Sequence, residues 1–423
     1  MSALRSGAAA QSFIVELSTL EEIVEGVVDQ TVTLLSGTSP SFDAVAFKKE
    51  VSTLVSQGKL LELVYKLLSG ISGTFAVVNL NDAEDEEDED DSEEAVEVLF
   101  SLLFTLVKHV DAAKELPGIV TEVCKIVSST VDETTRVARM RILRNLYAIL
   151  DPSSPLRPTV FLTLMRFAHS ARLQGGLQLD TMSVRDLCDA WNVDIETKRE
   201  ILLLSCKALF ASGRSNQAHP LNLDYVQTFN GASVSELSSA TEMSARAALY
   251  AVKNPLDVSN FSTFDLDAVK HLENVAEHAA LFGLLKVFAQ GNYADYLAYA
   301  ASNSGFASTL GVSESDCADQ ARLLTLGSLA AENVELSYES VANALQVGID
   351  EVEAWIVRAI GLKLINAKMD QLNSIVVVNS GTARGFSNKS SWADMSKKLH
   401  TLRAGIRNIL QTIQDARESS KSE

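Results

Sequence analysis

From residue 95 to about residue 332 the chain is a succession of short amphipathic helical patterns separated by polar breaks. Each pattern repeats its apolar residues at helical spacing, which defines one apolar face. A short helix cannot bury such a face alone, so each helix must stack against its neighbours. Because the patterns follow no strict repeat length, they predict a degenerate helical repeat rather than a tetratricopeptide array. We therefore predict a mostly α protein whose main body is a right-handed helical solenoid.

The predicted helices of this body are separated by residues that favour turns. The clearest break is the sequence DPSSP at 151–155, and Gly213 follows another helix at its C-terminal end. Composition agrees with a helical chain, since 6% of the residues are aromatic and only 7 of 423 are proline. The predicted helices cover residues 95–110, 116–127, 134–150, 156–173, 184–191, 195–211, 233–252, 264–272, 277–288, 293–301 and 318–331.

Residues 334–378 carry a different pattern, which predicts a helix, a tight turn, a second helix and two short strands. We place Gly348 in the turn, Asp350 at the N-cap of the second helix and Gly361 at the end of that helix. A helix-turn-helix followed by a β-hairpin is a winged helix. The second helix carries its predicted core residues on one face, and these are Val352, Trp355, Ile356, Ala359 and Ile360.

The hairpin of this winged helix is predicted from strands at 364–369 and 375–378, joined by the turn at 370–373. Four consecutive β-branched residues form the second strand, which we place on the outer arm of the hairpin. An outer strand has unpaired backbone groups, so we predict that it pairs with a strand of a partner protein. The alternative is that helices of this chain cover both faces of the sheet. The predicted contact residues are Ile375, Val376, Val377 and Val378.

The last helical pattern is a heptad seam, because its apolar residues are spaced alternately by three and four. A seam this narrow predicts that the helix docks against partner helices. The alternative is that the helix folds back against the winged helix of its own chain. The seam residues are Trp392, Met395, Leu399, Leu402, Ile406, Ile409 and Ile413. The basic residues near the seam are Lys397, Lys398, Arg403 and Arg407.

A helical solenoid that runs directly into a winged helix resembles the PCI domain. Scaffold subunits of the proteasome lid, the COP9 signalosome and eukaryotic translation initiation factor three share this domain. The resemblance extends from about residue 95 to the C-terminus and is closest to the initiation-factor members. It is carried by RVARMRILRNLYAILD at 136–151, SPLRPTVFLTLM at 154–165, QARLLTLGSLAAENVELSYESV at 320–341 and QVGIDEVEAWIVRAIGLKLINAKMDQLNSIVVV at 346–378.

The resemblance implies a non-catalytic scaffold subunit that supports assembly of the initiation complex on the small ribosomal subunit. The first residues hold no apolar run long enough for a signal sequence, which predicts a cytoplasmic protein. The resemblance implies that its partners are a neighbouring PCI protein of the factor (its A component), the isopeptidase-like F and H components and, through the complex, the 40S ribosomal particle. It also implies that the C-terminal helices of such proteins gather into one bundle. One alternative is a scaffold subunit of the signalosome or the proteasome lid. A second alternative is an RNA-binding winged-helix adaptor.

Residues 82–94 include eleven acidic residues and contribute more than half of the net charge of -19. Because like charges at this density repel, we predict a disordered linker here. The predicted organisation is an N-terminal helical segment at 1–81, the acidic linker, and the solenoid at 95–332. The winged helix follows at 333–380, and the C-terminal helix and tail occupy 381–423.

The sequence contains no motif that predicts catalysis or a cofactor: it lacks the phosphate-loop, Rossmann, GxSxG and HExxH patterns. His271 and His278 could share a helix face, but ordinary packing histidines are the favoured interpretation over a metal site. The four cysteines are far apart in sequence, which predicts buried reduced thiols rather than disulfides or zinc ligands. No apolar stretch is long enough to span a membrane. We predict no catalytic, metal or cofactor site.

Direct binding of nucleic acid is disfavoured by the charges of the winged helix. Its second helix opens with acidic residues, such as Asp350 and Glu351, at the end that would enter a groove. The other candidate is a set of four arginines opposite the apolar face of one predicted helix, which we interpret as a solvated face. These residues are Arg136, Arg139, Arg141 and Arg144. Docking of other proteins is therefore the favoured role.

Overall fold

The computed structural model describes residues 20–38, 43–57, 59–77, 86–107, 112–129, 135–173, 181–303, 305–381 and 389–419. Within these ranges the chain is mainly helical and has one small sheet close to the C-terminal helix in sequence. The predicted fold class is confirmed: a mostly α chain with a body of successive helices, a winged helix and a C-terminal helix. The chain divides into two compact units, Met1–Tyr225 and Val226–Glu423.

The first unit is built from helices that pack on near neighbours in sequence. Helices α1 and α4 pack together, α5 contacts α6 and α7, and α7 packs against α9. The apolar faces between them contain fully buried phenylalanine and leucine side chains. The described helices are α1 (Leu20–Thr38), α2 (Ala44–Ser56), α3 (Leu60–Val77), α4 (Glu86–Val107), α5 (Ala112–Ser128), α6 (Arg136–Ile149), α7 (Arg157–Ser170), α8 (Thr181–Trp191), α9 (Ile195–Ala211) and α10 (Ser215–Gln227).

The acidic segment differs from the predicted disordered linker. Helix α4 begins at Glu86, so most of the acidic residues lie in its first turns, and residues 82–85 lie outside the described ranges. A helix N-terminus favours negative charge because its backbone N–H groups point toward it. The helices on either side also pack together, α1 against α4 and α3 against α5, within one compact unit. The helices before and after the acidic segment therefore belong to one compact unit.

Helix α10 was not predicted, because Pro220 lies inside it and proline normally ends a helix. Two interactions with helix α8 hold this part of the chain. The Arg185 guanidinium donates a hydrogen bond to the Pro220 carbonyl oxygen at 3.0 Å and forms an ion pair with Asp224. Packing and side-chain hydrogen bonds thus override the local preference of one proline.

The second unit contains ten described helices of the α type and one sheet. A predicted helix over 233–252 is divided at Ala240 into two helices. The predicted helix over 264–272 is instead a short helix between two 3-10 segments, Val258–Asp265 and His271–Asn274. The helices are α11 (Val234–Ser239), α12 (Thr241–Lys253), α13 (Asp267–Lys270), α14 (Ala279–Gln290), α15 (Tyr293–Ser302), α16 (Phe306–Leu310), α17 (Glu314–Glu332), α18 (Tyr338–Leu345), α19 (Ile349–Gly361) and α20 (Lys389–Ser419).

The winged helix consists of α18, α19 and an antiparallel sheet of three short strands. These are β1 (Glu335–Ser337), β2 (Ile365–Asp370) and β3 (Ile375–Gly381). The strand order is β1-β3-β2, and a register irregularity lies between Asn366 and Ala367. Helix α17 of the body packs against β3, α18 and α19. The body and the winged helix therefore share one core within the second unit.

The shared core contains the predicted face of α19. Val352, Ile356 and Ala359 are fully buried, and Trp355 and Ile360 are partly buried against the same cluster. The cap of α19 differs from the prediction: Gly348 is the N-cap, and Asp350 lies within the first turn. Burial of these apolar side chains supplies most of the driving force for folding of the winged helix.

Gly381 marks the closest approach between β3 and α17. A Cβ atom at this position would lie 2.5 Å from the backbone nitrogen of Ala331 and 2.6 Å from the carbonyl carbon of Ala330. Both atoms belong to the backbone of a packed helix and cannot move aside. The absence of a side chain at Gly381 therefore lets the sheet pack directly on the helix.

Gly381→Ala is expected to lower the free energy of unfolding by about 2–3 kcal/mol, because the added methyl group overlaps helix backbone. Urea denaturation followed by circular dichroism measures this change. Gly361→Ala is the matched control, since a Cβ atom at Gly361 would meet nothing within 4 Å. The control should unfold like the natural chain or slightly later. An equal loss in both variants would contradict the close packing of β3 on α17.

Candidate protein-interaction surfaces

The seam of helix α20 is exposed along most of its length. Leu399, Leu402, Ile406, Ile409 and Ile413 are between 50% and 61% exposed, and every described side chain from 399 to 415 is exposed. Exposed apolar side chains at this density are expected of a surface that contacts another molecule. In the structure, residues 399–415 do not fold back on the winged helix of their own chain.

The N-terminal part of the seam is less exposed. Met395 is half-buried, and the side chain of Trp392 lies outside the described residues. Leu410 is 53% exposed and adds one apolar residue beside the seam that the heptad pattern alone did not include. A shallow groove of about 570 Å³ also runs along the helix, lined by Lys397, Thr401, Leu402, Gly405, Ile406 and Ile409. The apolar surface of α20 is therefore wider and less regular than a two-helix seam.

The second predicted contact, the strand 375–378, was predicted at the edge of the sheet, but it is not an edge strand. Strand β3 is the central strand, because β1 pairs with it on one side and β2 on the other. Val376 and Val378 are buried, Ile375 is partly buried, and Val377 is 37% exposed. The prediction of unpaired backbone groups on this strand is wrong, because β1 already uses them.

The exposed end of α19 is acidic. Asp350 and Glu351 lie in its first turn and are exposed. Glu353 accepts hydrogen bonds from the Tyr338 hydroxyl at 3.2 Å and from the Gln371 side-chain amide at 3.0 Å. These contacts tie the helix to α18 and to the turn of the hairpin. The arrangement gives this end negative charge, which repels the phosphates of a nucleic acid.

A stacked group of side chains joins α15, α17 and α19 in the second unit. The Arg322 guanidinium lies 4.5 Å from the ring centre of Tyr293 and 5.5 Å from that of Trp355. Arg358 lies on Trp355 at 5.3 Å and forms an ion pair with Asp319 at 2.7 Å. Stacking of this kind favours a fixed geometry between cations and rings. Trp355 thus serves packing within this chain.

The four arginines near 136–144 do not form one solvated face. Arg139 is fully buried, and it donates hydrogen bonds to the Thr135 hydroxyl and to the Val127 carbonyl oxygen. Arg141 forms an ion pair with Glu97 at 3.0 Å. At least two of the four arginines therefore make contacts within the chain. The positive charge that remains for binding nucleic acid is weak.

The four cysteines are free and buried. Burial raises the pKa of Cys124, Cys188 and Cys317 to about 11 in each case. Burial also raises the pKa of the Cys206 thiol. Only the thiolate is a nucleophile, so these thiols are inert at neutral pH.

At pH 8 the native chain is expected to react slowly with a thiol-specific disulfide reagent, whereas the urea-unfolded chain should release four equivalents at once. Unfolded thiols ionise with a pKa around 9.0, whereas the native thiols of Cys124, Cys188 and Cys317 ionise with a pKa of about 11, so the unfolded state loses protons first. Alkaline pH above about 9 should therefore lower the free energy of unfolding. Fast reaction of a thiol in the native chain would contradict its burial.

The residues that the structure describes show two further features that bear on function. Among them, no three His, Cys, Asp or Glu side chains are grouped closely enough to hold a metal ion. None of the helices within the described ranges has the length and apolar character that crossing a membrane requires.

Residues 301–380 match the family model of the PCI domain. The match covers the last part of the helical body and the winged helix as far as residue 380. The buried core around α17 joins these elements. The matched segment is therefore similar to a PCI domain, in agreement with the resemblance that the sequence predicted.

Curated relatives with similar sequences are named eukaryotic translation initiation factor 3 subunit M. The relative from Dictyostelium discoideum is 26% identical over 408 residues, which are 96% of this chain and 97% of the relative. The relative from Xenopus laevis is 28% identical over 325 residues, 76% of this chain and 84% of its own length. The Homo sapiens relative is 28% identical over 279 residues, 65% of this chain and 71% of its own length.

Proposed function

We propose that this chain is a non-catalytic scaffold subunit of the eukaryotic translation initiation factor 3 complex. In that role it supports recruitment of mRNA and initiator tRNA, together with assembly of the pre-initiation complex on the small ribosomal subunit. The observation that carries the proposal is the similarity to subunit M of Dictyostelium discoideum along nearly the whole of both chains. A match at one end alone would support only one shared domain, whereas this similarity supports the same architecture along the whole chain.

The proposed mechanism is mechanical rather than chemical. The group around Arg322 fixes the winged helix on α17. Helix α20 supplies the docking surface, because its apolar seam remains exposed in the isolated chain. Docking buries that seam against helices of other subunits and supplies the favourable free energy of assembly.

The proposed partners follow from the family. They are the neighbouring PCI protein of the factor (its A component), the isopeptidase-like F and H components and, through the complex, the 40S ribosomal particle in the cytoplasm. The proposal assigns no reaction to the chain: burial keeps the four thiols protonated at neutral pH, and the sequence holds no catalytic motif.

Affinity purification of the endogenous protein, followed by mass spectrometry with and without ribonuclease, tests the proposal. Recovery of initiation-factor subunits and 40S proteins, with the factor subunits resistant to ribonuclease, is the expected result. Recovery of cullin regulators or proteasome subunits would assign the chain to a different complex with the same domain. Partners that all disappear with ribonuclease would indicate an RNA-binding adaptor.

A further inference from the structure

Asn230 and Gly231 form the only Asn-Gly pair in the sequence. The pair lies in a turn before α11, which is closed by a hydrogen bond that the Ala232 N–H donates to the Phe229 carbonyl oxygen at 3.1 Å. Gly231 has a φ of 75°, a left-handed conformation that glycine adopts without steric cost. Both residues of the pair are exposed, so water reaches them. The second unit therefore presents an Asn-Gly turn on its surface.

An Asn-Gly pair can deamidate without an enzyme. The backbone nitrogen of the glycine attacks the side-chain carbonyl carbon of the asparagine, and the new C–N bond closes a succinimide ring. The bond from that carbon to the side-chain nitrogen breaks, and ammonia leaves with the proton that the backbone nitrogen loses. Water then opens the ring at either carbonyl group, which gives aspartate or isoaspartate. Glycine favours this reaction because it has no side chain to hinder the attack.

Asp267, at the start of α13, makes two hydrogen bonds with this turn. Its carboxylate accepts a hydrogen bond from the Gly231 N–H at 2.9 Å, and its own N–H donates one to Oδ1 of Asn230 at 3.3 Å. One residue therefore binds both groups that would react with each other. The attacking nitrogen must lose its proton, and a negative charge 2.9 Å away disfavours that loss. The hydrogen bond to Oδ1 also holds the side-chain amide in one orientation.

We infer that Asn230–Gly231 is a deamidation site of this chain and that Asp267 protects it in the folded state. The pair reacts when α13 separates from the turn, because both hydrogen bonds are then lost. Either product places a second carboxylate beside Asp267, where like charges repel. Isoaspartate also adds a methylene group to the backbone of the turn. Since neither product restores the native contact, the modification marks chains in which this contact has opened.

The first measurement compares the folded full chain with the same chain unfolded in urea, both in one mildly alkaline buffer. Peptide mass spectrometry follows conversion of the amide to the acid at each asparagine, and isoaspartyl methyltransferase labelling detects isoaspartate. In the unfolded chain, Asn230 is expected to convert faster than Asn373, an exposed residue of the hairpin turn that precedes a serine. In the folded chain, Asn230 is expected to convert about tenfold more slowly than in urea.

Variants of the folded chain test the part that Asp267 plays. Asp267→Ala removes the carboxylate, and it is expected to raise the conversion rate at Asn230 about tenfold. Asp267→Asn keeps an acceptor oxygen without the negative charge, so it should give an intermediate rate. Asp265→Ala is the matched control, since it removes the same charge from the adjacent 3-10 segment and should leave the rate unchanged. Circular dichroism and the urea midpoint check that each variant is folded.

Equal rates at Asn230 in the folded and the unfolded chain would overturn the inference, because the fold would then give no protection. Faster conversion of Asn373 than of Asn230 in urea would overturn it as well, since the Asn-Gly pair would not be the reactive site. An unchanged rate in folded Asp267→Ala would refute the protection by Asp267. If that variant does not fold, an unchanged rate in Asp267→Asn would refute it instead. These measurements involve no other subunit, so their outcome is independent of the proposed function.

Discussion

Leu402→Asp combined with Ile406→Asp is expected to remove this chain from its complex while leaving its own fold intact. Both side chains are at least half exposed in the isolated chain, so a carboxylate at either position meets water there. In a docked helix the same carboxylates would be buried without partners, at a cost of several kcal/mol. Co-purification with the other subunits should fall at least tenfold.

The control for this experiment places the same two charges on the opposite face of α20. Ala404→Asp with Gln411→Asp adds an equal charge to the same helix, where the structure shows exposed residues outside the seam. Both double variants should have the same urea midpoint as the natural chain. Normal co-purification of the seam variant, or equal loss in the two variants, would show that the seam is not the docking surface.

Ile356→Ala is expected to destabilise the winged helix by about 3–4 kcal/mol, because it leaves a cavity in a core where Ile356 is fully buried. The neighbouring core residues Val352 and Leu345 are also fully buried, so little rearrangement can fill that space. Denaturation by urea, monitored by tryptophan fluorescence, measures the loss. Trp355 is a suitable probe since it packs against the same cluster.

Val357→Ala is the matched control for that variant, since Val357 is the next residue along α19 and is 56% exposed. It should change the free energy of unfolding by less than about 0.5 kcal/mol. A comparable loss at both positions would mean that the apolar face of α19 is not the one that faces the core. The comparison tests the helical phase on which the whole winged-helix assignment depends.

The sequence predicted elements whose pattern is local. Helix α9 has the predicted bounds, Ile195–Ala211, and an Asp194 side chain that caps it. The hairpin of β2 and β3 was also predicted, because turn residues and β-branched runs lie next to each other in sequence. Exposure of the α20 seam agrees with a pattern that repeats at heptad spacing.

Elements that depend on distant partners were not predictable. Strand β1 has three residues and pairs with β3 some forty residues later, so it has no periodic signal of its own. Because β1 was not predicted, β3 was taken for an edge strand. Arg139 carries a charge, yet its burial is allowed by a hydrogen bond to Thr135 at the start of its own helix and by another to the Val127 carbonyl oxygen of α5. The acidic start of α4 was misread because charge density indicates disorder, whereas a helix N-terminus and packing against α1 favour order.

Hydrogen–deuterium exchange of α20 in two states tests most directly the central claim, that this chain is a scaffold that docks through α20. The states are the isolated chain and the endogenous complex. We expect the amides of residues 395–415 to exchange quickly in the isolated chain and at least tenfold more slowly in the complex, because docking covers the exposed seam. Equal exchange in both states would show that α20 takes no part in assembly.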